Sequence, residues 1–254
     1  MKDALAEESE ECQKFLDVRP IPGQILFIKL AGSRSHNTNH ANSDRDYTGV
    51  FLRPTGEVLQ LNPPTDTISH DSSGEVVEKQ FPDHAFYEVH KLCKLIVKGN
   101  PAIVEMLFTE HYANWTDQWD ELREHRMEFL TKNTVKQYLG YVNGQLSRLK
   151  KRQLGFDICT SKRTYEEKWA YHIIRLCYDA ARIASGTEPL VWKEGKERET
   201  LMKIRNCEYS WGEIEKMMEK EISIVENMKP WNLPDEADEE VLNDWLIRLR
   251  KSNW

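Results

Sequence analysis

Residues 25–51 read ILFIKLAGSRSHNTNHANSDRDYTGVF, and the reading of this stretch decides the fold. Ile25 to Leu30 are almost all β-branched, aromatic or aliphatic, and Pro22-Gly23 and Gly32-Ser33 bound them. A run of that length and make-up predicts a strand buried on both faces. The polar segment from Ser33 to Asp44 suits a loop. Arg45 to Leu52 reads as a second strand. Gly32-Ser33 therefore closes one buried strand, and ten residues later Asp44-x-Asp46 opens the next. Alternate residues of a strand point the same way, so Asp44 and Asp46 present two carboxylates together. Two like charges that close repel, and one takes up a proton unless a cation sits between them. Oxygen-only ligands of this kind suit Mg²⁺ shared with substrate phosphates. Gly32 has no Cβ and lets the backbone approach a phosphate. Ser33 offers a hydroxyl and an amide to a phosphate oxygen.

Outward from this stretch, a first helix is expected from about Asp3 to Leu16, broken by Arg19, Pro20, Pro22 and Gly23. Residues 54–82 are rich in Pro and Gly and read as a connection, with a short hairpin at Glu57 to Leu61. A third strand is expected in HAFYEV (84–89). From Glu88 onward the periodicity turns helical. Helices are expected at about 117–131, 132–152, 163–185, 197–205, 210–227 and 236–251. Asn100-Pro101, Ser210 and either Asp235 or Asp238 are expected to start helices. The fold class that follows is α+β, a small mixed sheet followed by an all-helical region. The expected division is a catalytic domain at 1–115 and a helical domain at 116–254.

Composition narrows the function. The chain has 254 residues, 39% hydrophobic and 30% charged, which fits a globular protein with a sizeable core. The net charge of −7 excludes a broadly basic nucleic-acid binder. No apolar run reaches the ~20 residues of a membrane span, and the acidic start lacks the pattern of a signal peptide. A cytoplasmic location is the expectation. The five cysteines are widely spaced with no CxxC pair, which predicts reduced thiols rather than disulfides or zinc. His36 and His40 lie in the loop with no cysteine or third histidine near, so zinc is not expected there.

Gly32-Ser33, ten residues and Asp44-x-Asp46 resemble the signature of the DNA polymerase β-like nucleotidyltransferases, in particular the minimal type. Ser43 to Phe51 is similar to the SDxDxxGVF of a branch of stand-alone predicted nucleotidyltransferases of bacteria and phages. Lys98-Gly-Asn-Pro with Glu105 and Leu107-Phe108 resembles that branch's KGNP block, and Gly140 to Gln145 its GYxxGQ block. Lys168 to Leu176 is similar to its lysine–histidine–arginine helix, and residues 233–235 and 245–247 to its C-terminal end.

The resemblance implies transfer of a nucleoside monophosphate from a nucleoside triphosphate to a hydroxyl, with two Mg²⁺ or Mn²⁺ ions. Asp44 and Asp46 would bind the metals, and Asp83 is the expected third carboxylate, with Glu88 in reserve. Gly32, Ser33 and Arg34 would meet the nucleotide. Lys168, His172 and Arg175 fall on one helix face at spacings of four and three, and would meet the triphosphate or the acceptor. Glu105 is expected to be a buried ion-pair partner. The acceptor could be an RNA 3′ end, a protein or a small molecule. The rival expectation is a module that binds a nucleotide or a partner protein without catalysis. The basic run Arg148–Arg152 with Lys162-Arg163 reads as a solvated helix end, with RNA contact as the alternative.

Overall fold

The computed structural model describes residues 2–70, 84–153 and 165–254. Asp83, Cys159, Lys162 and Arg163 lie outside the described residues, so the expectations placed on them are not addressed by it. A helix at Lys2–Val18 (α1) leads into a strand at Gln24–Leu30 (β1), a single helical turn at Gly32–Ser35 (α2) and a strand at Tyr47–Leu52 (β2). A turn at Thr55–Val58 (α3), a short strand at Thr67–His70 (β3) and a strand at His84–Glu88 (β4) follow. Then come Val89–Val97 (α4), Pro101–Phe108 (α5), a two-residue strand at Asn114–Trp115 (β5) and Asp117–Glu124 (α6). The rest is helical: Lys132–Gln153 (α7), Glu167–Ala184 (α8), Gly195–Arg205 (α9), Trp211–Asn227 (α10) and Glu239–Ser252 (α11).

The described strands form one mixed sheet in the order β3-β4-β2-β1-β5, so the fold is α+β as expected. β1 and β2 run antiparallel, with Leu30 against Tyr47 and Lys29 against Thr48. β2 and β4 run parallel, with Tyr47 against His84. The sheet's two faces have different covers because successive side chains alternate. Tyr47, Phe51, Ile28 and Phe86 meet Cys12 and Phe15 of α1. Phe27, Val50 and Leu52 face the helical half, in a core cluster that runs on to Leu249. The Phe27 ring stacks on Trp119 of α6 at 4.5 Å between centroids, which seats that helix on β1. Most capping follows from local sequence. Asn100 accepts from the amide of Ala102 at 3.0 Å, and Ser210 and Glu213 form a reciprocal capping box.

Three local expectations are corrected. Residues 57–61 form no hairpin. Thr55 instead turns helically because α11 holds it: its amide donates to Asn253 O at 2.8 Å and its hydroxyl to Arg250 O at 2.7 Å. β3 emerges inside the expected connection, because Ile68 packs against the Cys12–Phe15 cluster and β4 offers an open edge. The helix expected at 117–131 stops at Glu124, and a 3-10 turn carries the chain through Arg126–Phe129. Of the two expected starts of α11, the structure selects Asp238, which caps the helix by accepting from Glu240 N at 2.9 Å.

Candidate active site

The candidate site is built where β1 ends and β2 begins. Ala31 N donates to Asp46 O at 2.8 Å, which ties the two strand ends together. Gly32 follows at φ +59, a conformation that glycine tolerates and residues with a Cβ rarely adopt. A Cβ there would stand 3.6 Å from Asp46 Oδ2, so turn and carboxylate are neighbours. Ser33 O accepts from the amide and the hydroxyl of Thr38, at 3.0 and 3.3 Å. Arg34 donates through Nε and Nη2 to the carbonyl of Ser43, at 3.2 and 2.8 Å, and through Nε to that of Asp44 at 3.1 Å. The guanidinium thus fastens the polar loop to the turn.

Alternation carries on beyond the start of β2. Arg45 pairs with Glu8 of α1 at 3.4 Å, and the Tyr47 hydroxyl donates to Glu8 at 2.7 Å. Both side chains lie on the α1 side. Asp46 and Thr48 lie on the other, where they line a cavity of about 330 Å³ together with Lys29, Gly32, Glu105, His172 and Arg175. Asp44 is exposed and outside this lining. Lys168, at the start of α8, is exposed and outside it too, so the structure brings His172 and Arg175 to the cavity but leaves Lys168 on the surface.

Glu105 and Arg175 of the lining belong to a buried charge network. Arg175 of α8 donates to Glu105 of α5 in a tight ion pair. Asp179, one turn on, lies 4.0 Å from Arg175 and receives Lys193 Nζ at 2.6 Å. Burial opposes the charge on Glu105, yet Arg175 and Lys29 outweigh it and hold the carboxyl below its ordinary range. His172 goes the other way. Burial, aided by the Arg175 cation, pulls its pKa down to about 3, so it is a neutral hydrogen-bonding group at neutral pH. Burial and then Arg175 also push His36 well below its usual value. His36 Nδ1 donates to Val191 O at 3.1 Å, and its Nε2 lies 3.5 Å from Glu105 without forming an ion pair. Burial, partly offset by Glu105, brings Lys29 down to about 8.

Glu88, the reserve carboxylate, has a different task. It caps α4 by accepting from His90 N at 2.8 Å and pairs with Arg250 at 2.6 Å. It faces Phe51 in the register, at the opposite end of β2 from Asp46. Among the described residues, no three His, Cys, Asp or Glu side chains gather as an ion site. Of the carboxylates expected to hold metal, Asp46 lines the cavity and Asp44 stands exposed outside its lining; both offer the oxygen ligands that a divalent cation takes. Lys29 escaped the sequence reading, although a lysine in the otherwise apolar run Ile25 to Leu30 was its signal.

Comparison with known proteins places this site in context. A family model described as the RNA repair pathway DNA polymerase beta family matches residues 1–248. The chain belongs to that family. Membership in this polymerase β family agrees with the resemblance carried by Gly32-Ser33 and Asp44-x-Asp46. A protein of Enterobacteria phage T4, described as an uncharacterized 38.9 kDa protein in the nrdC-mobD intergenic region, is 28% identical over 127 residues. That match covers 46% of this chain and 36% of the phage protein, so the chain spans about a third of that relative's length. Among the described residues no helix is long and apolar enough to cross a membrane.

Proposed function

We propose that the chain transfers a nucleoside monophosphate from a nucleoside triphosphate to a hydroxyl at an RNA end. The observation that carries this reading is Asp46 beside the positive-φ Gly32, at a cavity that Arg175 also lines. The family's description as an RNA repair pathway supports RNA over a protein or a small molecule as the acceptor.

The acceptor oxygen attacks the α-phosphorus in line, the bond to the bridging oxygen breaks, and pyrophosphate leaves with those electrons. Two divalent ions, Mg²⁺ or Mn²⁺, held by Asp44, Asp46 and Asp83 would supply Lewis-acid neutralisation of the phosphate charge. Asp83 is the third carboxylate in this proposal. His84, the residue after it, pairs with Tyr47, the residue after Asp46, and this neighbourhood supports the choice. Asp83 also takes the proton from the acceptor hydroxyl. Gly32 admits the phosphate chain close to the backbone, and Ser33 donates to it. Arg34 positions the Asp44 loop. His172 and Arg175 meet the phosphate chain from the helical side, and Lys168, exposed one turn before His172 on α8, would meet the acceptor. Catalysis of this kind is positioning plus electrostatic stabilisation. The catalytic domain is taken as residues 1–115 and the helical domain as 116–254.

The test incubates wild type, Asp46→Ala and the Asp44→Ala/Asp46→Ala variant with each α-labelled triphosphate, Mg²⁺ or Mn²⁺, and RNA or the protein alone. Label on RNA with wild type and none with the variants is the expected result. Label on the protein itself would move the acceptor from RNA to protein. Metal-dependent binding without transfer would favour the non-catalytic module. Asp46→Ala is expected to fold as stably as wild type, because it removes one of two repelling charges. An unfolded Asp46→Ala would make Asp46 structural and sink the site assignment.

A further inference from the structure

Lys29 is the one charged residue of β1, and it is 2% exposed. Its side chain lies on the sheet face turned to the helical half, opposite Thr48 in the register. The ammonium donates to Ser35 Oγ at 2.7 Å. Glu105 is near enough to favour its charged form but is engaged by Arg175. Burying an ammonium costs several kcal/mol unless a counter-charge is close, and an apolar side chain of equal length would fill the same space at no such cost. Packing therefore does not account for a lysine here.

The cavity does account for it. Lys29 lines the same cavity as Gly32, Asp46 and Arg175. The charges on that lining are two cations, Lys29 and Arg175, and two anions, Asp46 and Glu105. Glu105 is matched by Arg175. With Asp46 given over to metal, the positive charge not yet matched on the described lining is that of Lys29. An ammonium has three donors, and Ser35 takes one. An anion in the cavity would complete the set.

We propose that Lys29 contacts the phosphate chain of the bound triphosphate, and keeps hold of the pyrophosphate until release, with Ser35 fixing the direction of its ammonium. This rests on the nucleotidyltransferase reading above, but its test does not need transfer to occur.

Calorimetric titration of wild type, Lys29→Met, Lys29→Gln and Ser35→Ala with inorganic pyrophosphate and with each nucleoside triphosphate, in Mg²⁺, provides the test. The loss of one charge-assisted hydrogen bond is expected to weaken both ligands about tenfold to a hundredfold in each Lys29 variant. Ser35→Ala keeps the ammonium and is expected to lose no more than a few-fold. Lys29 variants that fold and bind pyrophosphate as tightly as wild type would overturn the proposal. So would Ser35→Ala losing as much as Lys29→Met, because Lys29 would then act through the turn. Wild type that binds neither ligand would overturn it as well. Pyrophosphate binding that depends on Lys29, with no transfer to any acceptor, would leave the proposal standing and sink the transferase reading. Lys29→Gln keeps the test open if Lys29→Met fails to fold.

Discussion

Glu105→Gln removes the charge from the centre of the buried network and changes almost nothing in volume. In wild type Glu105 accepts from Arg175, and the two side chains are 11% and 6% exposed. In the variant the guanidinium stays buried and loses its main counter-charge. Asp179 remains, 4.0 Å from Arg175 Nη1, but one of its oxygens already accepts from Lys193 at 2.6 Å and from the amide of Leu190 at 3.2 Å. Breaking one side of a buried pair costs about 3–5 kcal/mol, and the residual pull of Asp179 places this variant near 3 kcal/mol. That is a large part of the roughly 5–15 kcal/mol that holds a typical protein folded.

Urea unfolding at pH 7 reads the effect. With a slope of about 3 kcal/mol/M, the midpoint should fall by about 1 M at unchanged slope. The double variant Glu105→Met/Arg175→Met removes both charges and should lie closer to wild type than either Glu105→Met or Arg175→Met by itself. The pH dependence has a definite sign. Glu105 titrates below its ordinary value of 4.5 in the folded protein, so its stabilisation is full above that value. It is lost as pH falls through the lowered folded value. The gap between wild type and Glu105→Gln should thus be constant near neutrality and close in acid. An unmoved midpoint in Glu105→Gln, or a double variant as unstable as the sum of its parts, would refute the reasoning.

Two further outcomes are expected. Gly99 sits at φ +67, and a Cβ there would stand 2.6 Å from Thr134 Cα. Gly99→Ala should cost roughly 2 kcal/mol or more in thermal unfolding, since the left-handed backbone by itself costs about 1–2; a loss under ~0.5 kcal/mol would show that α7 yields freely. Lys29 titrates at about 8 when folded against 10.5 when free, so below pH 8 its burial opposes folding. Lys29→Met should be more stable than wild type at pH 7 by up to about 3 kcal/mol, an advantage that shrinks between pH 8 and 10.5 as wild type sheds that cost. A constant difference across that range would show that Lys29 is not the titrating group.

Much of the molecule was legible from local pattern. The apolar run of β1, the Gly32 turn, the start of β2 and the helices from α4 onward each depend on residues a few positions apart, and helical or strand periodicity reads over that distance. Asn100 and Ser210 as caps are of the same kind. The elements that escaped depend on partners far along the chain. Thr55 turns helically because residues 250 and 253 hold it, and β3 exists because β4 leaves an edge beside it. Glu88 was a candidate ligand by position, but Arg250 makes it a structural carboxylate.

The site divides along the same line. Gly32, Ser33, Asp44 and Asp46 stood out in the sequence because the turn and the two carboxylates fall within fifteen residues, and strand alternation relates them. Tertiary packing decided what faces them. It brought Glu105 and Arg175, 70 positions apart, into one buried pair, left Lys168 on the surface, and placed Lys29 in the cavity rather than in the core. A charge's neighbours, and the low dielectric that makes them matter, are set by the whole fold and not by the residues on either side.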